Sequence, residues 1–225
     1  MSRAWRVPHL HVVTDDDVLA GERWLTTAVS VMEAGGPSIA LHVRGPRSSG
    51  ATIYRFASAL LPHARRTGTL LVINDRVDVA IAIGADAVHL GQRSLPIAVT
   101  RGLFARTTGV GVSCHSGAEV AAAASGGADY AFVGTIFPTP THPDEAGIGV
   151  DGIRGMMRGG GGLPVIGIGG VDAARATSVL AEGAYGVAAV RGVWSSADAG
   201  ATVAAYLEAI EVGRGRFTGR GSACE

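Results

Sequence analysis

The chain has 225 residues, 47% of them hydrophobic, and its 19 basic and 19 acidic side chains cancel to a formal charge of zero. That length suits one core burying roughly 70% of the unfolded surface, and the charge balance speaks against both a nucleic-acid footprint and a basic membrane-surface helix. No apolar run approaches the ~18 residues of a membrane span, and Met1 to Pro8 carries no apolar leader segment, so the expected location is the cytoplasm.

Short apolar runs predict buried strands over 8–13, 38–43, 69–74, 86–90, 109–113, 129–134, 164–168 and 185–190. Helical periods fall between them, over 22–33, 52–66, 75–83, 96–106, 118–125, 172–181 and 201–211, with a weaker one over 152–158. Three junctions repeat one pattern: Gly84-Ala85-Asp86-Ala87-Val88-His89-Leu90-Gly91, Gly127-Ala128-Asp129-Tyr130-Ala131-Phe132-Val133-Gly134 and Gly183-Ala184-Tyr185-Gly186-Val187-Ala188-Ala189-Val190. In each, glycine suits the left-handed residue that ends a helix, and the apolar run after it suits a strand covered on both faces. A helix before each strand implies parallel neighbours, because parallel strands need a crossover.

Eight such units predict an α/β fold, a (β/α)8 TIM barrel formed by a single domain over 1–212, where about 250 residues is typical. A doubly wound open sheet is the rival, but Thr14-Asp15-Asp16-Asp17 stands where its glycine-rich phosphate turn belongs. Residues 213–225 are rich in Gly and Arg and predict a disordered tail. Cys114 and Cys224 make no disulfide framework. The chain contains no lysine, so imine-forming aldolase chemistry is excluded; arginine serves phosphate recognition equally well.

Strand alternation gives direction to the side chains. Ile39, Leu41 and Val43 face the helices, leaving His42 and Arg44 inward; Leu71 and Ile73 face out while Asn74 points in; Val88 and Leu90 flank an inward His89; Val110 and Val112 alternate with Ser113 and His115. A barrel interior is normally apolar, so these six polar residues read as a site at the C-terminal strand ends. Gly169 and Gly170 after the seventh strand, with Val190 and Arg191 after the eighth, form the paired elements that cradle phosphate in this fold. The loop 135–149 is the longest, with prolines to stiffen it and hydroxyls at Thr139 and Thr141, as a lid or binding loop requires.

The segments His11-Val12-Val13-Thr14-Asp15-Asp16, Leu41-His42-Val43-Arg44, Asn74-Asp75-Arg76-Val77-Asp78-Val79-Ala80, Val88-His89-Leu90-Gly91-Gln92, Gly111-Val112-Ser113-Cys114-His115-Ser116, Phe137-Pro138-Thr139 and Gly167-Ile168-Gly169-Gly170 resemble the thiamine phosphate synthase and TenI superfamily over about residues 9–211. The resemblance implies two activities. In the synthase, thiazole phosphate attacks the methylene carbon of a pyrimidinylmethyl diphosphate, and diphosphate leaves with help from magnesium. It implies that Arg44, Asn74, Asp75, Thr139 and Thr141 match diphosphate, metal or loop positions, Ser113 a pyrimidine contact, and Gly170, Val190 and Arg191 the thiazole phosphate cradle.

Three departures stand out against the synthase pattern. His42 replaces a glutamine, Ser94 replaces the second metal-binding aspartate, and Pro46 and His142 replace the two diphosphate lysines; Arg47 or Arg93 is the candidate substitute for that charge. A TenI-like thiazole tautomerase needs one acid/base and no cofactor, but its catalytic histidine is Thr135 here, so His115, His42 or His142 would carry the proton. The expected reading is a TenI-like tautomerase or divergent synthase binding a phosphorylated thiazole, with full synthase activity (a pyrimidine diphosphate as second substrate, Mg2+ on Asp75) and a non-catalytic ligand-sensing barrel as alternatives. Exposed apolar helix faces make a homodimer an expected partner state.

Overall fold

The computed structural model describes residues 6–139 and 146–221. Eight strands, β1 (Leu10–Val13), β2 (Ile39–Val43), β3 (Leu70–Asn74), β4 (Ala87–Leu90), β5 (Gly109–Cys114), β6 (Tyr130–Val133), β7 (Val165–Ile168) and β8 (Gly186–Ala189), pair in parallel with their sequence neighbours, and β8 closes on β1. The expected (β/α)8 barrel is the observed one. Around it run the helices α1 (Asp16–Ala20), α2 (Trp24–Gly35), α3 (Gly50–Thr67), α4 (Val77–Ile83), α5 (Ile97–Leu103), α6 (Gly117–Ser125), α7 (Asp151–Met157), α8 (Ala173–Ala181), α9 (Arg191–Trp194) and α10 (Ala199–Gly221).

The alternation read from sequence holds in three dimensions. Leu10, Val12, Ile39, Leu41, Leu71, Ile73, Val88 and Leu90 pack in the strand–helix layer and are at most 1% exposed. Burial of each large aliphatic side chain there contributes about 1.5–3 kcal/mol. Inside the barrel, Ala40, Leu70, Val72 and Ala87 fill one end, and Val13, Tyr130, Phe132, Ile166 and Ala188 lie together as a separate cluster. Gly111 makes room for Tyr130: a Cβ there would collide with the Tyr130 ring.

Helix starts follow local chemistry. Asp15, Ser49, Ser116 and Asp172 cap α1, α3, α6 and α8 by accepting from the backbone N–H of Val18, Thr52, Glu119 and Arg175. Two short helices, α1 and α9, were not predicted, because four or five residues carry no readable period. Where disorder was expected from 213 onward, α10 continues to Gly221. Gly213 is an element of packing here, since a Cβ would meet the Leu180 Cβ at 2.7 Å, and its bare backbone lets α10 press onto α8. Among the described residues no helix is long and apolar enough to cross a membrane.

Candidate active site

A pocket of about 440 Å³ opens at the C-terminal ends of the strands and is lined by residues from β1 through the turn after β8. A larger cavity of about 770 Å³ lies at the opposite end, where Pro8, Leu70, Asp86 and Tyr185 precede or begin their strands. Chemistry in this fold is built on the C-terminal face from the strand-to-helix loops, and the predicted site residues gather there, so the smaller pocket is the candidate site. Arg44, Asn74, His89, Ser113, His115, Thr139, Gly169, Gly170, Val190 and Arg191 all line it, together with Asp75. Thr141 and His142 lie outside the described residues.

One edge is the glycine turn after β7. Gly169 and Gly170 take φ of +96° and +61°, and a Cβ on Gly170 would meet Phe137 Cβ at 2.8 Å and the Phe137 carbonyl oxygen at 2.9 Å. Only glycine fits this turn, both for conformation and for space. Arg191 Nη2 donates to Thr139 Oγ1 at 3.2 Å, tying the β8 end to the long loop. Asp172 borders the same edge, but its carboxylate accepts from Arg175 N at 2.8 Å as the α8 cap. Arg175 in turn donates to the Gly170 carbonyl at 2.8 Å, fixing that peptide.

The opposite edge is built by β2, β3 and β4. Arg44 is half-buried, its backbone N–H donating to Thr14 Oγ1 at 2.9 Å while that hydroxyl donates to the Arg44 carbonyl. Among the described residues no carboxylate pairs with its guanidinium. Arg47, a candidate substitute for the missing lysine charge, is instead held by Asp16 and Asp17 at 3.3 and 2.9 Å. Arg44→Met should therefore weaken an anionic ligand by about 1.5–3 kcal/mol, the range for a hydrogen bond to a charged group. Calorimetry with inorganic diphosphate checks this, and unchanged affinity removes Arg44 from the site.

Asp75 stands at φ +63°, in the left-handed region that Asp and Asn tolerate better than most residues. Its Oδ1 accepts from Gly91 N at 2.8 Å and from Ser94 Oγ at 2.5 Å. Ser94 thus sits beside Asp75, at the position where the resemblance implies a second carboxylate. The described residues contain no group of three metal-ligating side chains. One carboxylate with a neighbouring hydroxyl fits magnesium of the kind held by one or two carboxylates plus substrate phosphates.

His42 requires a correction. The sequence places it at the mouth as a candidate acid/base, but it is fully buried and does not line the pocket. Its Nδ1 lies 2.9 Å from Asn74 Oδ1 and its Nε2 lies 2.8 Å from His11 Nδ1, whose Nε2 reaches the Pro8 carbonyl oxygen at 3.1 Å. Phe132 packs against this pair and against His89, its ring centroid 5.2 Å from His11 and His42 and 4.1 Å from His89. Burial pushes His42 down to about 4 and holds His11 and His89 well below the ordinary imidazole range. All three are neutral at pH 7.

His89 reaches the pocket with Nε2 3.0 Å from Ser113 Oγ, and its Nδ1 lies 3.3 Å from Tyr130 Oη. His115 is exposed at the rim. Cys114, between Ser113 and His115 in sequence, packs on the helix side among Val120, Ala131 and Val133, and burial raises its thiol to about 11, so it is an inert core thiol. His11 was missed as an inward residue, although Leu10 and Val12 flank it with the same alternation that revealed His89.

The buried imidazoles set an acid limit on stability. Unfolded His42 takes up its proton near pH 6.5, while the folded ring resists to about pH 4. The unfolded chain binds more protons between those values, so this contribution is complete above pH 6.5 and is lost as pH falls toward 4. The melting temperature should drop across that window, and His42→Gln should flatten the drop. A slope identical in variant and wild type would contradict it.

The architecture and pocket define a (β/α)8 barrel enzyme of the kind that works through its strand-to-helix loops. The family model described as thiamine monophosphate synthase matches residues 10–193. The chain belongs to that family, within the thiamine phosphate synthase and TenI superfamily. It is 39% identical to the thiamine-phosphate synthase of Chloroflexus aurantiacus over 195 residues, 86% of this chain and 87% of that protein. It is 43% identical over 155 residues to a thiamine biosynthesis bifunctional protein ThiM/ThiE of Symbiobacterium thermophilum; that match covers 68% of this chain and 32% of the longer protein. Among solved structures, a thiamine phosphate pyrophosphorylase from Pyrococcus furiosus superposes with a TM-score of 0.78 at 30% identity, covering 91% of this chain and 96% of that one.

Proposed function

We propose that this protein is a thiamine-phosphate synthase, the alternative of the two enzymatic readings that its relatives favour. The observation that carries the proposal is a pocket with two differently built edges: the Gly169–Gly170 turn with Arg191 on one side, and Arg44, Asn74 and Asp75 on the other. Two edges suit two phosphorylated substrates, whereas a tautomerase needs only one. Thiazole phosphate rests its phosphate on the glycine turn and the Arg191 edge. The pyrimidinylmethyl diphosphate lays its diphosphate against Arg44.

The ring nitrogen of the thiazole attacks the methylene carbon, the new C–N bond forms, and the C–O bond to diphosphate breaks with its electron pair leaving on oxygen. The protein contributes orientation and charge neutralisation. Phe132 and Ile168 supply apolar wall on which flat rings can lie. Magnesium, when bound, spreads the charge of the departing diphosphate; Asp75 is the residue that would hold it, with the Ser94 hydroxyl beside it.

In this reading no imidazole moves a proton. His42 lies below the pocket and His89 is neutral, which leaves His115 as the described histidine most accessible to a ligand. His115→Asn should keep the rate of thiamine phosphate formation within about threefold, since no general acid–base factor of ~100 is removed. A 100-fold loss, or proton exchange on thiazole phosphate alone in heavy water, would return the chemistry to the tautomerase reading. A cytoplasmic, homodimeric enzyme completes the proposal.

A further inference from the structure

The hydrogen-bonded series Asn74, His42, His11 has a direction, and that direction decides which amide atom of Asn74 faces the pocket. His11 Nε2 lies 3.1 Å from the Pro8 carbonyl oxygen, which can only accept, so this nitrogen carries a proton. In a neutral ring His11 Nδ1 is then an acceptor, and His42 Nε2, 2.8 Å away, donates to it. His42 Nδ1 is left as an acceptor in its turn. Its neighbour at 2.9 Å is the Asn74 carboxamide atom placed as Oδ1, but an oxygen cannot donate to this lone pair and the amide nitrogen can, so the carboxamide has to be turned end for end. Oxygen and nitrogen of a carboxamide are told apart by their partners, and these partners assign the position facing His42 to the nitrogen.

The reverse polarity sets the His11 lone pair against the Pro8 oxygen, or else requires an imidazolium at a site with 0% exposure. No carboxylate among the described residues pairs with either ring. An unpaired buried charge costs far more than turning an amide. With its nitrogen committed to His42, Asn74 turns its carbonyl oxygen to the pocket that it lines.

We propose that His11 and His42 are positioning residues that hold the Asn74 carbonyl oxygen toward the pocket, where it accepts a hydrogen bond from an amino group on a heteroaromatic ligand. The identity of the ligand rests on the proposed synthase reading, in which the pyrimidine half carries the amine; the direction of the hydrogen bonds does not. Against the wall formed by Phe132 and Ile168, a flat ring meets an acceptor that rewards an N–H and repels a carbonyl. A site built for such a donor rejects an analogue without it, because its own buried acceptor is left unpaired.

The first arm of the test is nitrogen NMR of the uniformly 15N-labelled, ligand-free protein. Both His11 and His42 should be the Nε2–H tautomer, and Nδ1–H on either ring overturns the assignment whatever reaction the protein performs. The second arm is calorimetric binding of a 4-aminopyrimidinylmethyl diphosphate and its 4-oxo counterpart. The wild type should favour the amine at least tenfold, and His11→Phe, which removes the anchor at Pro8, should shrink that preference while diphosphate alone binds as before. Equal binding of both rings by the wild type overturns the ligand assignment, and failure to bind any diphosphate would instead count against the synthase reading.

Discussion

Replacing Gly170 by Asp should abolish thiazole phosphate binding, with affinity falling at least about 100-fold. Three effects act together. The backbone at Gly170 has φ +61°, which an L side chain rarely adopts; the new Cβ would meet Phe137 and the Pro138 carbonyl within 3.0 Å; and a carboxylate would face the incoming phosphate. Like-charge juxtaposition alone costs several kcal/mol, where each 1.4 kcal/mol is tenfold in affinity. Calorimetry with thiazole phosphate measures the loss, and a melting curve establishes that the barrel is intact. Arg191→Ala, which touches only the exposed side chain bonded to Thr139, is the milder companion and should weaken phosphate without perturbing the fold. Unchanged affinity in both variants would mean that phosphate binds elsewhere.

The second large effect concerns Asp75. Asn at this position keeps the left-handed backbone that Asp75 adopts and still offers an oxygen to Gly91 N and Ser94 Oγ, the two donors now on Oδ1. Asp75→Asn therefore removes the charge and little else. The rate of thiamine phosphate formation at fixed magnesium should fall on the order of 100-fold, the scale of one electrostatic group aimed at developing charge. Ser94→Asp makes the converse test: it places a second carboxylate beside Asp75 and should lower the magnesium concentration that gives half-maximal rate. A wild-type rate that saturates at low magnesium and ignores both substitutions would show that the metal is held by other residues.

The barrel was legible because its strands are short apolar runs bounded by glycine and its helices are periodic. Alternation also gave the direction of Arg44, Asn74, His89 and Ser113 correctly, since the pleat admits only two faces. Depth was not legible. His42 and Arg44 share a face of β2, but the stagger of the barrel pairs His42 with Val13 and Val72, inside the lumen, and leaves Arg44 beyond the strand at the mouth. Register across strands sets that level, and no single strand encodes it.

Two other misreadings have different causes. His11 follows the same alternation as His89, yet its role emerges only when β1 and β2 are paired and the rings meet at 2.8 Å. Gly213 and its neighbours read as a flexible tail by composition, whereas in the fold the small residue is what brings α10 against Leu180. Composition reports what a segment does in isolation; packing against α8 decides what it does here.

Coupling of two phosphorylated rings at one pocket is tested most directly by diphosphate release. With thiazole phosphate, pyrimidinylmethyl diphosphate and magnesium together, the wild type should release one diphosphate per thiamine phosphate formed, and omission of either substrate or chelation of the metal should stop it. Conversion of thiazole phosphate alone at a rate indifferent to chelator, with no diphosphate released when both substrates are present, would contradict the account.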